Sequence, residues 1–312
     1  MFHLPDSWVW DFWIADTGDE YHLFFLFASR ALGDPDRRHR RASIGHARSH
    51  DLVHWDRLAD AVVRSDAPAF DDVATWTGSI VRAGDDDWRI FYTGLSDHPI
   101  PQVQRIGVAR SRDLMTWATR PEPLVVADPA FYSTAESGDE PWRDPWVFQD
   151  ENGLWHMLIT ARSAGWSDLR DSGVLGHATS EDLDTWTVHP PATGPGHGFG
   201  QLEVPQVVET RSGHVLIFSC LNGELAERRR TPGGGGVWAA PAGGASGPFD
   251  LDRAALITDS SRYAGRVMRD RAGILQLLAF RNEEDGAFVG VLGDPTPLEP
   301  LLDQAFSSAR EE

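Results

Sequence analysis

The chain has 312 residues, 41% hydrophobic and 24% charged, enough for one sizeable core. Its 47 acidic and 28 basic residues leave a net charge of −19, which argues against nucleic acid and anionic membrane as partners. Every strong base is arginine, so a Walker-type phosphate loop, Schiff-base catalysis and pyridoxal-phosphate chemistry, which need lysine, are excluded, and no cofactor is expected.

In chain order, short apolar runs recur in units. The first unit opens on W-V-W-D-F-W, Trp8 to Trp13, then runs through Y-H-L-F-F-L-F-A and I-G-H-A-R to S-H-D-L-V-H-W, which ends at Trp55. The second opens on T-W-T-G-S-I-V and passes W-R-I-F-Y-T-G and I-G-V-A-R to S-R-D-L-M-T-W, ending at Trp117. The third opens on P-W-R-D-P-W-V-F and passes L-W-H-M-L-I-T-A and L-G-H-A-T to S-E-D-L-D-T-W, ending at Trp186. A fourth carries G-Q-L-E-V-P-Q-V-V, H-V-L-I-F-S-C and V-W-A-A-P, and a fifth R-Y-A-G-R-V, I-L-Q-L-L-A-F and G-A-F-V-G-V-L-G. Each run is about a strand long and most are bounded by Gly, Asp, Asn or Pro, so the chain reads as all-β, with long helical periodicity nearly absent. Units of four short strands, repeated with a period above the usual ~40–50 residues, predict a five-bladed β-propeller forming one domain over residues 1–312. A β-sandwich would leave the three copies of S-x-D-L-x-x-W unexplained.

A propeller gathers the openings of its first strands around one axial funnel. Those openings carry Asp11 in the first unit, Trp76, Thr77 and Ser79 in the second, Arg143 and Asp144 in the third, Glu203 in the fourth, and Tyr263 and Arg266 in the fifth. Burying a lone carboxylate in an apolar strand is costly, so three such acids point to chemistry rather than stability. Converging carboxylates in unlike environments are how glycosidases place a nucleophile and a general acid. Trp10, Trp13 and Trp76 are not repeated from unit to unit and are expected in the pocket. Trp55, Trp117 and Trp186, once per blade, are expected in the core. His46 and His177 share a blade position, in G-H-A, and read as packing groups. No histidine pair has metal-ligand spacing, so no metal site is expected. Cys220, the single cysteine, lies in an apolar run and reads as a buried inert thiol. The run Glu227 to Gly236, E-R-R-R-T-P-G-G-G-G, reads as a flexible loop. The N-terminus has no basic segment followed by an apolar run, so a cytoplasmic location is expected; a chain trimmed of a leader would read the same.

These residues also carry a resemblance to the propeller module of the fructan-active glycoside hydrolases, families 32 and 68. W-D-F-W resembles the W-D-x-W nucleophile segment of family 68, and W-R-D-P at Trp142 to Pro145 matches the Arg-Asp-Pro motif of both. W-T-G-S at Trp76 to Ser79 is similar to their (F/W)-S-G-S element, and Gly45 to Trp55 resembles a family 32 stretch. Glu203, in L-E-V-P, falls where those families place the acid/base glutamate. Trp10 stands where family 32 has asparagine, Val204 where the families have cysteine or arginine, and the C-terminal β-sandwich module of family 32 is not expected. The resemblance implies a retaining β-fructofuranosidase-like hydrolase, with fructosyl transfer open. Asp11 would be the nucleophile, Glu203 the acid/base and Asp144 the transition-state stabiliser, with Arg143 orienting it. Hydrogen bonds are expected to hold the Asp11 pKa down, and the pH profile should be bell-shaped. Alternatives are a propeller glycosidase or phosphorylase for arabinofuranosides or mannosides, or a non-catalytic sugar-binding propeller. On the bland readings, Asp11 caps a turn, Asp144 is an Arg-paired structural acid and Glu203 is a rim residue. Oligomeric state is not legible.

Overall fold

The apolar runs become strands that group into five antiparallel four-stranded sheets. This is a computed structural model, and it describes residues 1–308; residues 309–312 of the expected single domain lie outside them. The five innermost strands are Ser7–Asp16, Ala74–Gly84, Arg143–Gln149, Glu203–Thr210 and Arg262–Arg269. Each packs against the next and the fifth packs against the first, so the sheets form the blades of a closed propeller. Near the chain start, Phe2 pairs with Leu292 of blade five through backbone hydrogen bonds of 3.0 and 2.9 Å, fastening the first blade to the last.

The repeated S-x-D-L-x-x-W segment is a turn that builds mortar between blades. In blade one, Ser49 Oγ accepts from the Leu52 N–H at 3.0 Å, and Asp51 Oδ1 accepts from Val53 and His54 N–H at 2.9 and 2.8 Å. These side chains satisfy backbone donors that the turn would otherwise orphan. The leucines take left-handed backbone, with φ of 65°, 63° and 63° at Leu52, Leu114 and Leu183. Each indole then donates to that leucine's carbonyl, at 3.2, 3.1 and 3.3 Å for Trp55, Trp117 and Trp186. Trp117 meets Phe24 of blade one edge-on, and Trp186 meets Phe91 of blade two. Their once-per-blade recurrence is therefore packing, as the sequence indicates.

Blades one and three also carry histidine pairs, buried in blade one and buried to half-buried in blade three. His22 Nδ1 lies 2.9 Å from His46 Nε2, and His156 Nδ1 lies 3.1 Å from His177 Nε2. Burial, with a second histidine beside each, pushes His46 down to about 3 and His177 down to about 4, so both are neutral packing groups. Cys220 is fully buried.

The all-β reading holds among the described residues, with one helix, α1, Leu298–Ser308, following blade five. Leu298, Leu301, Leu302, Ala305 and Phe306 fall on one helical face and belong to, or pack on, the core cluster that holds Val267 and Leu277, with Leu298 fully buried. The run 227–236 is not a free loop. Arg228 binds Asp171 at 2.6 Å, and Arg229 donates to the carbonyls of His197 and Leu251 at 2.5 and 2.7 Å while lying over the Phe199 ring. Guanidinium donors with several fixed acceptors pin a segment that glycine content alone marks as mobile.

Candidate active site

All five inner strands carry one extra residue near the mouth of the funnel. In blade one, Val9 pairs with Phe27 but Phe12 with Phe25, so Trp10 and Asp11 sit in a bulge. The same irregularity falls at Trp76–Gly78, Arg143–Trp146, Glu203–Gln206 and Tyr263–Arg266. Asp144, Val204 and Ala264 take left-handed backbone at these bulges, with φ of 56°, 54° and 51°. That conformation is costly for any residue with a Cβ and most of all for the branched Val204. Bulges re-aim side chains, and in blades one to three they let two consecutive residues of the strand line one pocket, Trp10 and Asp11, Trp76 and Thr77, Arg143 and Asp144. Gly78 of W-T-G-S has a separate reason: a Cβ there would stand 2.0 Å from the Phe91 carbonyl oxygen, so the neighbouring strand admits only glycine.

The result is one pocket of about 500 Å³ on the axis. Of the residues singled out in the sequence, Trp10, Asp11, Trp76, Thr77, Arg143, Asp144, Glu203 and Tyr263 line it. Trp13, Ser79 and Arg266 do not. They line a smaller cavity of about 60 Å³ further along the axis. Each lies two or three residues beyond a pocket residue on the same strand, and at ~3.3 Å of rise per residue that carries a side chain below the pocket floor. Their roles are structural. Ser79 Oγ accepts from the Val147 N–H at 3.1 Å, tying blade two to blade three. Arg266 donates to the carbonyls of Phe12, Pro205 and Gly78 at 3.4, 2.7 and 3.0 Å, joining three other blades at the axis. Trp13 is core, stacked on Phe24.

The three carboxylates have unlike surroundings. Asp11 accepts a hydrogen bond from Thr77 Oγ1. Asp144 is buried; its Oδ2 accepts from Thr160 Oγ1 at 3.0 Å and from the Val204 N–H at 3.2 Å, with Arg143 Nε 3.5 Å away. Its own N–H donates to Thr93 Oγ1 at 2.9 Å. Glu203 uses both oxygens as acceptors, Oε1 from Arg143 Nη2 at 2.5 Å and Oε2 from the Tyr263 hydroxyl. Arg143 is held in turn by Gln104 Oε1 at 3.1 Å and Gln201 Oε1 at 2.9 Å. This one guanidinium therefore connects two of the three acids and fixes their relative placement.

The electrostatics depart from expectation at Asp11. Its pKa is not held down but pushed up to about 7. Burial is the largest cause and the neighbouring Asp144 charge the next; the Thr77 hydrogen bond and the Arg38 charge oppose them without prevailing. Burial also pushes Asp144 up, against the pull of Arg143. Burial pushes the Tyr263 hydroxyl well up, and the Glu203 charge adds to it, so Tyr263 is a donor at any working pH.

Several pocket residues were not legible. The 3₁₀ segment Pro35–Arg40 folds over the mouth and contributes Arg38 and His39. His39 lies between Trp10 and Trp76, edge-on to both rings, and its carbonyl accepts from Trp76 Nε1 at 2.6 Å. Burial and two arginines push it down to about 3, so it is neutral. The run R-R-H-R-R at Arg37 to Arg41 was the available signal, a basic cluster in an acidic chain. Nothing in the sequence marks Gln104 and Gln201 as the clamps of Arg143. Among the described residues no group of three or more His, Cys, Asp and Glu side chains could hold a metal ion, and no helix is long and apolar enough to cross a membrane.

Fold and site together define a five-bladed β-propeller with a carboxylate-lined axial pocket. The chain belongs to the glycosyl hydrolases of family 32: the model of that family's N-terminal domain matches residues 13–275. The matched range contains Asp144 and Glu203 and begins just after Asp11. The chain is 32% identical over 170 residues to a probable sucrose-6-phosphate hydrolase of Vibrio cholerae, an alignment covering 54% of this chain and 27% of that protein. It is 30% identical over 188 residues to an insoluble β-fructofuranosidase isoenzyme of Arabidopsis thaliana, covering 59% of this chain and 32% of that one. The chain thus spans about a third or less of these curated relatives. Among solved structures, the inulosucrase of Halalkalicoccus jeotgali bound to kestose superposes with a TM-score of 0.74 at 21% identity, over 100% of this chain and 85% of that one.

Proposed function

We propose that the protein is a retaining glycoside hydrolase acting on β-fructosides. One observation carries the reading: three carboxylates from three different blades meet in one pocket of a family 32 propeller. The carboxylate of Asp11 attacks the anomeric carbon of a fructosyl unit, and the bond from that carbon to the leaving oxygen breaks. Glu203 gives that oxygen a proton. Water then attacks the same carbon: its oxygen bonds to that carbon, Glu203 takes a proton from it, and the bond from Asp11 to the sugar breaks. Replacing the water by a sugar hydroxyl gives fructosyl transfer. Asp144, beside Arg143, stabilises the positive charge that develops on the sugar and accepts from its hydroxyls. Trp10 and Trp76 supply apolar faces for the sugar's C–H groups. Every group the scheme needs lies on the propeller, so the propeller is proposed as a catalytic unit in its own right. A cytoplasmic location, which the single buried Cys220 accommodates, belongs to the same proposal.

Sucrose, inulin, levan and nitrophenyl furanosides offered to the wild type, Asp11→Ala and Glu203→Gln test it. The wild type should release fructose with retained configuration. Asp11→Ala should be inactive, and Glu203→Gln should lose roughly 10²–10⁴-fold in kcat on sucrose and much less on the nitrophenyl fructoside, whose leaving group needs no proton. An inverted product, or a requirement for phosphate, would move the protein to another reaction class.

A further inference from the structure

The segment Pro35–Arg40 lowers Arg38 onto Trp10, the residue next to Asp11. Arg38 is 8% exposed. Its guanidinium carbon lies 3.8 Å from the centre of the Phe288 ring and 5.6 Å from that of Trp10. Nη1 donates to the Pro35 carbonyl at 2.9 Å, while Nε is buried without an acceptor. Asp36, the acid nearest it, stands 3.6 Å away with its side chain 91% exposed, where water screens it. A buried arginine whose one close carboxylate is solvent-screened is expensive to keep. Two aromatic faces fix its position.

The charges around Asp11 show what that cation can do. Asp144 and Glu203, from blades three and four, disfavour its ionisation. Blade two offers the Thr77 hydroxyl and blade five the neutral Tyr263 and the cation Arg266. Arg266 gives each of its nitrogens to a backbone carbonyl, and Arg143 is divided between Glu203 and Asp144. Around Arg38 itself stand Asp11, Asp34, Asp36 and the neutral His39.

We propose that Arg38 is a positioning residue for Asp11: clamped between Phe288 and Trp10 on the lining of the same pocket, its fixed charge favours the ionised form of the Asp11 carboxylate. The catalytic meaning rests on Asp11 being the nucleophile; the electrostatic claim does not. The test is the pH dependence of thermal stability, from pH 4.5 to 9, for wild type and Asp11→Asn, each alone and with Arg38→Met. The stability difference between a chain that keeps Asp11 and its Asp11→Asn counterpart reports Asp11 ionisation without any substrate. The midpoint of that difference should rise by about one pH unit with Arg38→Met and stay in place with Arg38→Lys. In active enzyme the acid limb of kcat/KM should move with it. An unmoved midpoint with Arg38→Met, or an equal shift with Arg38→Lys, overturns the proposal. Arg38→Gln serves in place of Arg38→Met if the latter does not fold. A wild type that turns over no fructoside defeats the functional reading but leaves this measurement intact.

Discussion

At the residue scale, the chemistry depends on how one pocket keeps three acids distinct. Asp144 is satisfied by a hydroxyl, a backbone N–H and Arg143, and Glu203 by Arg143 and Tyr263. Asp11 has Thr77. Its pKa, raised by burial from 3.8 to about 7, is also a statement about folding. Between these values the folded chain binds more protons than the unfolded one, so this group's contribution to stability falls as pH rises. The full cost, on the order of 4 kcal/mol, applies above pH 7 and vanishes below pH 4. Asp11→Asn should therefore melt higher than wild type at pH 8 and close to it at pH 4, by calorimetry at both values. A group tuned for reaction at the expense of stability is what a catalytic role predicts. An equal difference at both pH values would remove that argument.

At the scale of elements, the bulges make the site. A regular strand alternates its faces, so neighbours such as Trp10 and Asp11 would point apart. The extra residue lets both reach the pocket. This also explains which of the residues singled out line the pocket. Asp11, Asp144 and Glu203 were legible because a carboxylate in an apolar run stands out against its neighbours. Trp13, Ser79 and Arg266 were misplaced because sequence marks the face of a strand and not its depth along the axis. Arg38 and His39 escaped because a loop folds back over the mouth, a long-range contact that no local pattern encodes. Helix α1 was legible in retrospect, from the spacing of Leu298, Leu301, Leu302, Ala305 and Phe306 behind Pro297. Its burial is substantial, and Leu298→Ala should cost roughly 2–4 kcal/mol in denaturant unfolding, with the slope unchanged. A loss under ~0.5 kcal/mol would mean that the helix is not part of the cooperative fold.

At the scale of the whole molecule, the blade repeat positions everything else. The tryptophan turns cement blade to blade, the Phe2–Leu292 pairing closes the ring, and Arg266 ties blades together at the axis. The number of blades was readable because S-x-D-L-x-x-W recurs and because each opening strand carries its own polar residue. Closure itself was not, since the residues that make it lie at opposite ends of the chain. On this frame, residues 11, 144 and 203 share one pocket. The most direct test of that arrangement is to trap the intermediate. Glu203→Ala, given a nitrophenyl β-fructofuranoside, should accumulate a fructosyl group through slow release, and peptide mapping by mass spectrometry should place it on Asp11. A label on Asp144, or no label while an inverted sugar is released, would contradict the assignment.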